Sequence, residues 1–266
     1  MSTVLELADV TVRRGQATLL DQVSWTVQED ERWVILGPNG AGKTTLVQLC
    51  SAQIHPTSGV AGILGEVLGT VDVFDLRPRI GYTSAAVAER IPRDELVRDV
   101  VVSASYGVVG RWREHYDELD HDRARALLVE VGAGKLLDRT FGTLSEGERK
   151  RVQIARSLMT DPELLILDEP AAGLDLGGRE DLVSTMTVLA NDALSPAIVL
   201  VSHHVEEIPP GFTHALMLRE GRVMAQGPMA EVMTAQNLTL TFGMSLMLTY
   251  EDGRYAARRR TRRHVG

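Results

Sequence analysis

The chain opens on an imperfect alternation: Val4, Glu6, Ala8, Val10 and Val12 interleave with Leu5, Leu7, Asp9 and Thr11. Period two with apolar residues on both parities predicts a strand of an edge sheet. Arg13-Arg14-Gly15-Gln16 reads as a turn, and Leu19 to Val27 returns as a second strand. A short apolar run, Trp33-Val34-Ile35-Leu36, follows, and after a glycine-rich gap Leu46, Leu49, Cys50 and Ile54 recur at helical spacing. Residues 59–82 are short apolar pieces broken by Gly59, Gly62, Gly65 and Gly69, which predicts more antiparallel β ending at Ile80-Gly81-Tyr82. From about Pro92 the period turns helical. Asp94 to Val102 and Arg111 to Leu119 are charged amphipathic stretches, and His121 to Val131 carries Ala124, Leu127, Leu128 and Val131 on one face before Gly132 and Gly134 stop it.

Two later runs are apolar throughout: Leu164-Leu165-Ile166-Leu167, ending in Asp168-Glu169, and Ile198-Val199-Leu200-Val201, ending in Ser202-His203-His204. A run of strand length with no polar parity predicts a parallel strand buried on both faces. Val152, Ala155, Leu158 and Met159 predict a helix after Ser145, and residues 215–227 a hairpin around Glu220-Gly221. A short helix is expected after Gly227 through Met233. A second hairpin is expected from Leu246 to Tyr250, turning at Asp252-Gly253, a favoured type I′ pair.

Composition narrows the class. The 266 residues, 44% hydrophobic, suit one α/β domain with a subdomain. A net charge of −8 argues against a surface that binds nucleic acid as a whole. Only Ala256 to His264 is strongly basic, and it reads as a solvated tail, with anionic lipid or RNA as the weaker alternative. Cys50 is the single cysteine, so no disulfide forms within the chain, and its place in an apolar stripe predicts a packed thiol. No run approaches the roughly 18 apolar residues of a membrane span, and the N-terminus lacks a signal-peptide pattern. A soluble chain is expected, with any membrane role exerted through a partner.

The chemistry is densest at Gly37-Pro38-Asn39-Gly40-Ala41-Gly42-Lys43-Thr44-Thr45, between the predicted strand and helix. This is the context a phosphate-binding P-loop requires. Its glycines let successive N–H groups and a helix N-terminus point at one anion. Lys43 would reach the β- and γ-phosphates, and the Thr44 hydroxyl would bind Mg²⁺. In an open α/β sheet ligands sit at the carboxyl ends of strands, which is where Asp168 and Glu169 fall. Asp168 is placed to hold the metal and Glu169 to orient or activate water; the competing reading is a solvated acidic turn before Pro170. His203 is a candidate γ-phosphate sensor or simply a turn residue. Ser145-x-x-Glu148 is a capping box, and a capped helix N-terminus is also an anion site.

Taken together these segments resemble the ATP-binding-cassette (ABC) ATPase domain from about residue 3 to about 235. Residues 37–45 match its Walker A, Leu144-Ser145-Glu146-Gly147-Glu148 its signature motif and Leu164 to Pro170 its Walker B. Ala172-Gly173-Leu174-Asp175 is similar to its D-loop and Ser202-His203 to its switch histidine. The resemblance implies an α/β fold: a P-loop NTPase core with a mostly parallel sheet, an N-terminal antiparallel β subdomain and an α-helical subdomain inserted at about 86–160. One domain would span 1–235, a C-terminal extension with a hairpin 236–257, and a disordered basic tail 258–266.

It further implies ATP and Mg²⁺ as ligands, with two cassettes, identical or not, packed head to tail. ATP would then sit between Walker A of one protomer and Ser145, Glu146, Gly147 and Glu148 of the other. Glu169 and His203 would be catalytic, and Asp175 would link the two sites. Two departures from the family pattern matter, and a third, Glu146 in place of the first signature glycine, is milder because the contacting positions are kept. Arg14 stands where an aromatic usually stacks on adenine, a place a guanidinium can also fill. Ala85 stands where the family has a metal-contacting glutamine, with Ser84 beside it. The implied role is the energising subunit of an importer or exporter, lying against the inner face of the cell membrane through a separate permease. The alternative is a non-transport ABC ATPase acting on nucleic acid, ribosomes or a protein complex. Motif layout and the segment past residue 235 are also similar, more loosely, to bacterial ABC ATPases associated with molybdate uptake and photorepair.

Overall fold

The computed structural model describes residues 2–106 and 115–260. Along the chain, β1 (Thr3–Arg14) and β2 (Ala17–Gln28) form a long antiparallel ribbon, then β3 (Arg32–Leu36) leads through the glycine-rich loop into α1 (Lys43–Cys50). β4 (Ser58–Ile63) and β5 (Glu66–Val67) complete a four-stranded antiparallel sheet ordered β2-β1-β4-β5. A short α2 (Val73–Leu76) precedes β6 (Ile80–Thr83). A helical layer follows: α3 (Ala85–Ala88), α4 (Val97–Val102), α5 (Glu118–Glu130) and α6 (Glu146–Ser157). Then come β7 (Leu164–Asp168), α7 (Leu176–Asn191), β8 (Ala197–Ser202), β9 (His214–Arg219) and β10 (Arg222–Pro228). The chain closes with α8 (Met229–Val232), α9 (Ala235–Phe242) and a hairpin of β11 (Leu246–Glu251) and β12 (Arg254–Arg259).

The main sheet is ordered β10-β9-β3-β8-β7-β6 and is parallel except for β10. Its all-apolar strands follow from two cores. Val34, Leu36, Leu165, Leu167, Ile198 and Leu200 face the helical side, while Ile35, Leu164, Ile166, Val199 and Val201 face α1 and the antiparallel sheet. Both parities are buried, so period-two alternation vanishes from the sequence. The helical layer is held by polar contacts as well. Arg123 of α5 donates to the carbonyls of Met159 (2.9 Å) and Leu158 (3.0 Å), satisfying the end of α6.

Several expectations are corrected. Ile80-Gly81-Tyr82 does not continue the antiparallel sheet: it is the parallel edge strand beside β7, in register Tyr82 to Ile166. A Cβ on Gly81 would lie 2.4 Å from the Ser157 carbonyl, so the strand passes under the end of α6 only because that residue is glycine. The helix expected from Asp94 starts at Val97, since Leu96 is extended and bridges to Thr140. The helix expected from His121 begins earlier, where Asp117 and Asp120 form a capping box, and residues 111–114 lie outside the described residues. Helices α7 and α9 form where no pattern described above predicts one. The terminal hairpin turns at Asp252 and Gly253, with φ of 50° and 76° as a type I′ turn needs. Arg258 and Arg259 are not tail: they pair with Met247 and Leu246. The basic run beyond Arg260 lies outside the described residues.

Candidate functional site

Parallel register brings the carboxyl ends of three strands to one edge. Leu36 lies beside Ser202, and Asp168 beside Val201, so Gly37, Glu169 and His203 leave the sheet together. The loop after β3 is shaped by Gly40 (φ 78°) and Gly42 (φ 101°), a conformation that penalises any residue with a Cβ. Gly42 begins α1 without a side-chain cap, leaving the first N–H groups of the helix to face an anion. The β9–β10 turn braces the loop, the Gly221 N–H donating to the Ala41 carbonyl at 2.9 Å. Residues 39–45, with Thr18, Leu19, Glu169 and Glu220, line a cleft of about 540 Å³.

Lys43 is buried in this loop. Its Nζ donates to the carbonyls of Gly37 (2.8 Å) and Pro38 (3.2 Å) and lies 3.6 Å from Glu169 Oε1. Burial lowers the Lys43 pKa, and the Glu169 charge opposes that shift. Glu169 adopts φ 49°, a left-handed conformation rare for a residue with a Cβ, held by its N–H donating to the Val201 carbonyl at 3.1 Å. The turn aims its carboxylate back over the loop, and His203 Nδ1 approaches Glu169 Oε1 at 3.4 Å.

Asp168 is the electrostatic focus. Burial first, then the Glu169 charge, pushes its carboxyl up to about 6, with Lys43 acting the other way. Its Oδ1 is buried without a hydrogen-bond partner. Among the described residues no cluster of three His, Cys, Asp or Glu could hold a metal by itself. A single buried, unpartnered carboxylate oxygen fits Mg²⁺, which takes one or two protein oxygens and fills its octahedron with phosphate and water. The unpartnered Asp168 Oδ1 would be one such oxygen and the Thr44 hydroxyl the other.

Residues outside the sequence reading also shape the site. Burial raises the pKa of the Tyr82 hydroxyl, with Ser84 opposing that shift and the Asp168 charge adding to it. Glu207, itself buried, accepts from the Ser202 hydroxyl, while the Ser202 oxygen accepts from the His204 N–H at 2.9 Å. Ser202 is fully buried and holds the segment carrying His203. Only the tertiary pairing of β6 with β7, and the 3₁₀ turn Val205–Glu207, bring these groups in. Arg14, exposed at the end of β1, does not line the cleft; Thr18 and Leu19 of β2 do.

The second group of candidate residues lies elsewhere. Ser145 caps α6, its Oγ accepting from the Glu148 N–H (3.3 Å) while its own N–H donates to Glu148 Oε2 (2.8 Å). That backbone bond holds the Glu148 carboxyl below its usual range. Asp175 caps α7 through the Gly178 N–H at 2.8 Å. The two helix starts converge: a Cβ on Gly147 would lie 3.7 Å from the Gly178 Cα. None of Ser145, Glu146, Gly147 or Glu148 lines the cleft at Lys43. Ala85 begins α3 under a cap from Ser84, whose Oγ accepts from the Val87 N–H. With Ala88, Glu146 and Lys150 it borders a separate hollow of about 290 Å³.

A glycine-rich loop feeding a helix, carboxylates ending the strand two places away, and a helical layer inserted between them define a P-loop ATPase. The ABC transporter family model matches residues 20–172, and the chain belongs to this family as one of its ATP-binding, ATP-hydrolysing subunits. The ABC transporter ATP-binding protein YlmA of Bacillus subtilis is 38% identical over 252 residues, 94% of this chain and 95% of that protein. The manganese transport system ATP-binding protein MntB of the same species is 33% identical over 241 residues, 90% and 92% of the two chains. Among solved structures, cbiO1 of Clostridium perfringens, part of the transporter complex cbiONQ, superposes with TM-score 0.77. It is 25% identical and is matched over 90% of this chain and 94% of its own.

Proposed function

We propose that the chain powers transport as one half of a head-to-tail cassette dimer, acting on a separate membrane subunit. The observation that carries this reading is the division of the site. Lys43, Asp168, Glu169 and His203 gather at one sheet edge, whereas Ser145, Gly147 and Asp175 gather at the converging starts of α6 and α7. A second copy facing the first would bring one group against the other twice. Dimeric cassettes and a cassette from a larger transporter complex are known among structures with this fold. Among the described residues no helix is long and apolar enough to cross a membrane, so a membrane-spanning path would come from the partner, holding the cassette at the inner face of the membrane.

In this reading loop N–H groups and Lys43 bind the β- and γ-phosphates of ATP, and Asp168 and Thr44 hold Mg²⁺. The metal supplies charge neutralisation on the phosphates. Glu169 orients the attacking water and takes its proton, while His203, whose Nδ1 lies 3.4 Å from Glu169 Oε1, helps to fix that carboxylate. Ser145 and Gly147 of the partner would close on the γ-phosphate, their helix N-terminus adding favourable potential. Glu169→Gln keeps shape and hydrogen bonding but removes the base. Turnover is expected to fall about 10²–10³-fold with ATP affinity retained and an ATP-trapped dimer in size-exclusion chromatography. Wild-type turnover in that variant would remove Glu169 from the role.

A further inference from the structure

The C-terminal hairpin is bonded to both segments that flank the switch histidine and the D-loop. Leu246, Leu248, Tyr255 and Ala257 pack on the helical-side core, and the Tyr250 and Tyr255 rings meet at 4.6 Å across the strands. From this seat Arg254 extends to two partners. Its guanidinium reaches both oxygens of Glu180, at 2.8 and 3.3 Å, and its Nη2 donates to the Glu206 backbone carbonyl at 2.5 Å. Farther along the strand, the Ala257 N–H donates to Glu206 Oε1 at 2.9 Å.

The positions of those partners give the contact its meaning. Glu180 lies on α7, five residues after Asp175; Glu206 lies three residues after His203. Glu207, next to Glu206, accepts from the Ser202 hydroxyl immediately before His203. One guanidinium therefore ties the start of α7 to the loop that aims His203 at Glu169. A bidentate fork with a third acceptor fixes relative position in a way a single point charge does not. The ion pair is partly exposed, 27% for Arg254 and 45% for Glu180, so its contribution to global stability is small.

We propose that Arg254 is a positioning residue for ATP hydrolysis: it clamps α7 to the His203 segment, so that the hairpin sets the approach of His203 to Glu169. This rests on the catalytic reading of Glu169 and His203 given above. The test compares full-length wild type with Arg254→Ala, Arg254→Lys, Glu180→Gln and His203→Ala. For each, kcat and KM for ATP, affinity for a fluorescent ATP analogue and Tm are measured. Arg254→Ala is expected to lower kcat about tenfold, because small misplacements of catalytic groups are costly, with KM and nucleotide affinity changed less than about twofold. Its Tm is expected to stay within about 2 °C of wild type. Lysine at 254 would restore part of the loss, since one ammonium cannot serve both acceptors. Unchanged kcat in Arg254→Ala, or a loss matched by weaker binding or lower Tm, would overturn the proposal. Should Arg254→Ala fail to fold, Glu180→Gln decides: a severalfold lower kcat at wild-type Tm supports the clamp, and full turnover overturns it. Full turnover in His203→Ala would overturn the underlying reading and the clamp together. An inactive His203→Ala beside a fully active Arg254→Ala would overturn the clamp alone.

Discussion

Replacing Asp168 by asparagine is expected to stabilise the nucleotide-free protein while removing its function. Burial and the adjacent Glu169 push the Asp168 carboxyl from 3.8 up to about 6. The native state thus binds this proton more tightly than the unfolded chain does, and stability falls as pH rises through the window between those values. Below 3.8 both states are protonated and there is no penalty; above about 6 both are ionised and the penalty is complete. Linkage puts it at about 0.6 kcal/mol at pH 4, about 1.6 at pH 5 and about 3 at pH 8. Asparagine keeps the shape without the charge, so it relieves up to that amount. For a chain of this length 3 kcal/mol corresponds to a rise in Tm of about 5 °C. Thermal unfolding followed by circular dichroism, without nucleotide, at pH 5 and pH 8 would test this. The gap between variant and wild type is expected to be larger at pH 8. With saturating Mg-ATP the order is expected to reverse, because only the wild type gains stability from metal-bound nucleotide. A variant less stable than wild type at pH 8, or a gap independent of pH, would refute the assignment of strain to this carboxylate.

Three other outcomes follow from local geometry. Ser145→Asp preserves the cap on α6, since a carboxylate accepts the same N–H, but places negative charge where the partner's γ-phosphate is read to sit; a near wild-type Tm with ATPase activity lost is expected, and full activity would sink the contact in trans. Gly37→Ala would set a Cβ 2.2 Å from the Leu218 carbonyl, which costs roughly 3 kcal/mol by overpacking; a denaturant midpoint equal to wild type would show that the β3–β9 spacing relaxes freely. Cys50 is fully buried, and burial pushes its thiol far above the ordinary range. A thiol-specific reagent is therefore expected to label Cys50 only on unfolding, and rapid labelling of the native protein would contradict its place on the buried face of α1.

Much of the site was legible because its chemistry is local. Gly40, Gly42, Lys43 and Thr44 lie within five residues, and the backbone they shape forms the loop proposed to bind the phosphates. The acidic end of β7 and the Ser145–Glu148 box are short-range signals of the same kind, and each appears where its pattern places it. The apolar runs 164–167 and 198–201 announced doubly buried strands, since only a strand between two cores lacks a polar parity.

What sequence could not decide was which segments meet. β6 carries the pattern of any short strand, yet its pairing with β7 delivers Tyr82 to Asp168. The charge of Asp168 becomes costly only once the sheet closes around it, and the left-handed turn at Glu169 is held by a carbonyl 32 residues away in β8. Arg254 and Glu180 are 74 residues apart and carry no mark of their pairing. Backbone conformation and capping depend on neighbours in the chain, so residue type and spacing reveal them. Register, desolvation and long-range hydrogen bonds depend on how layers pack, and those are properties of the folded assembly of elements, not of any one of them.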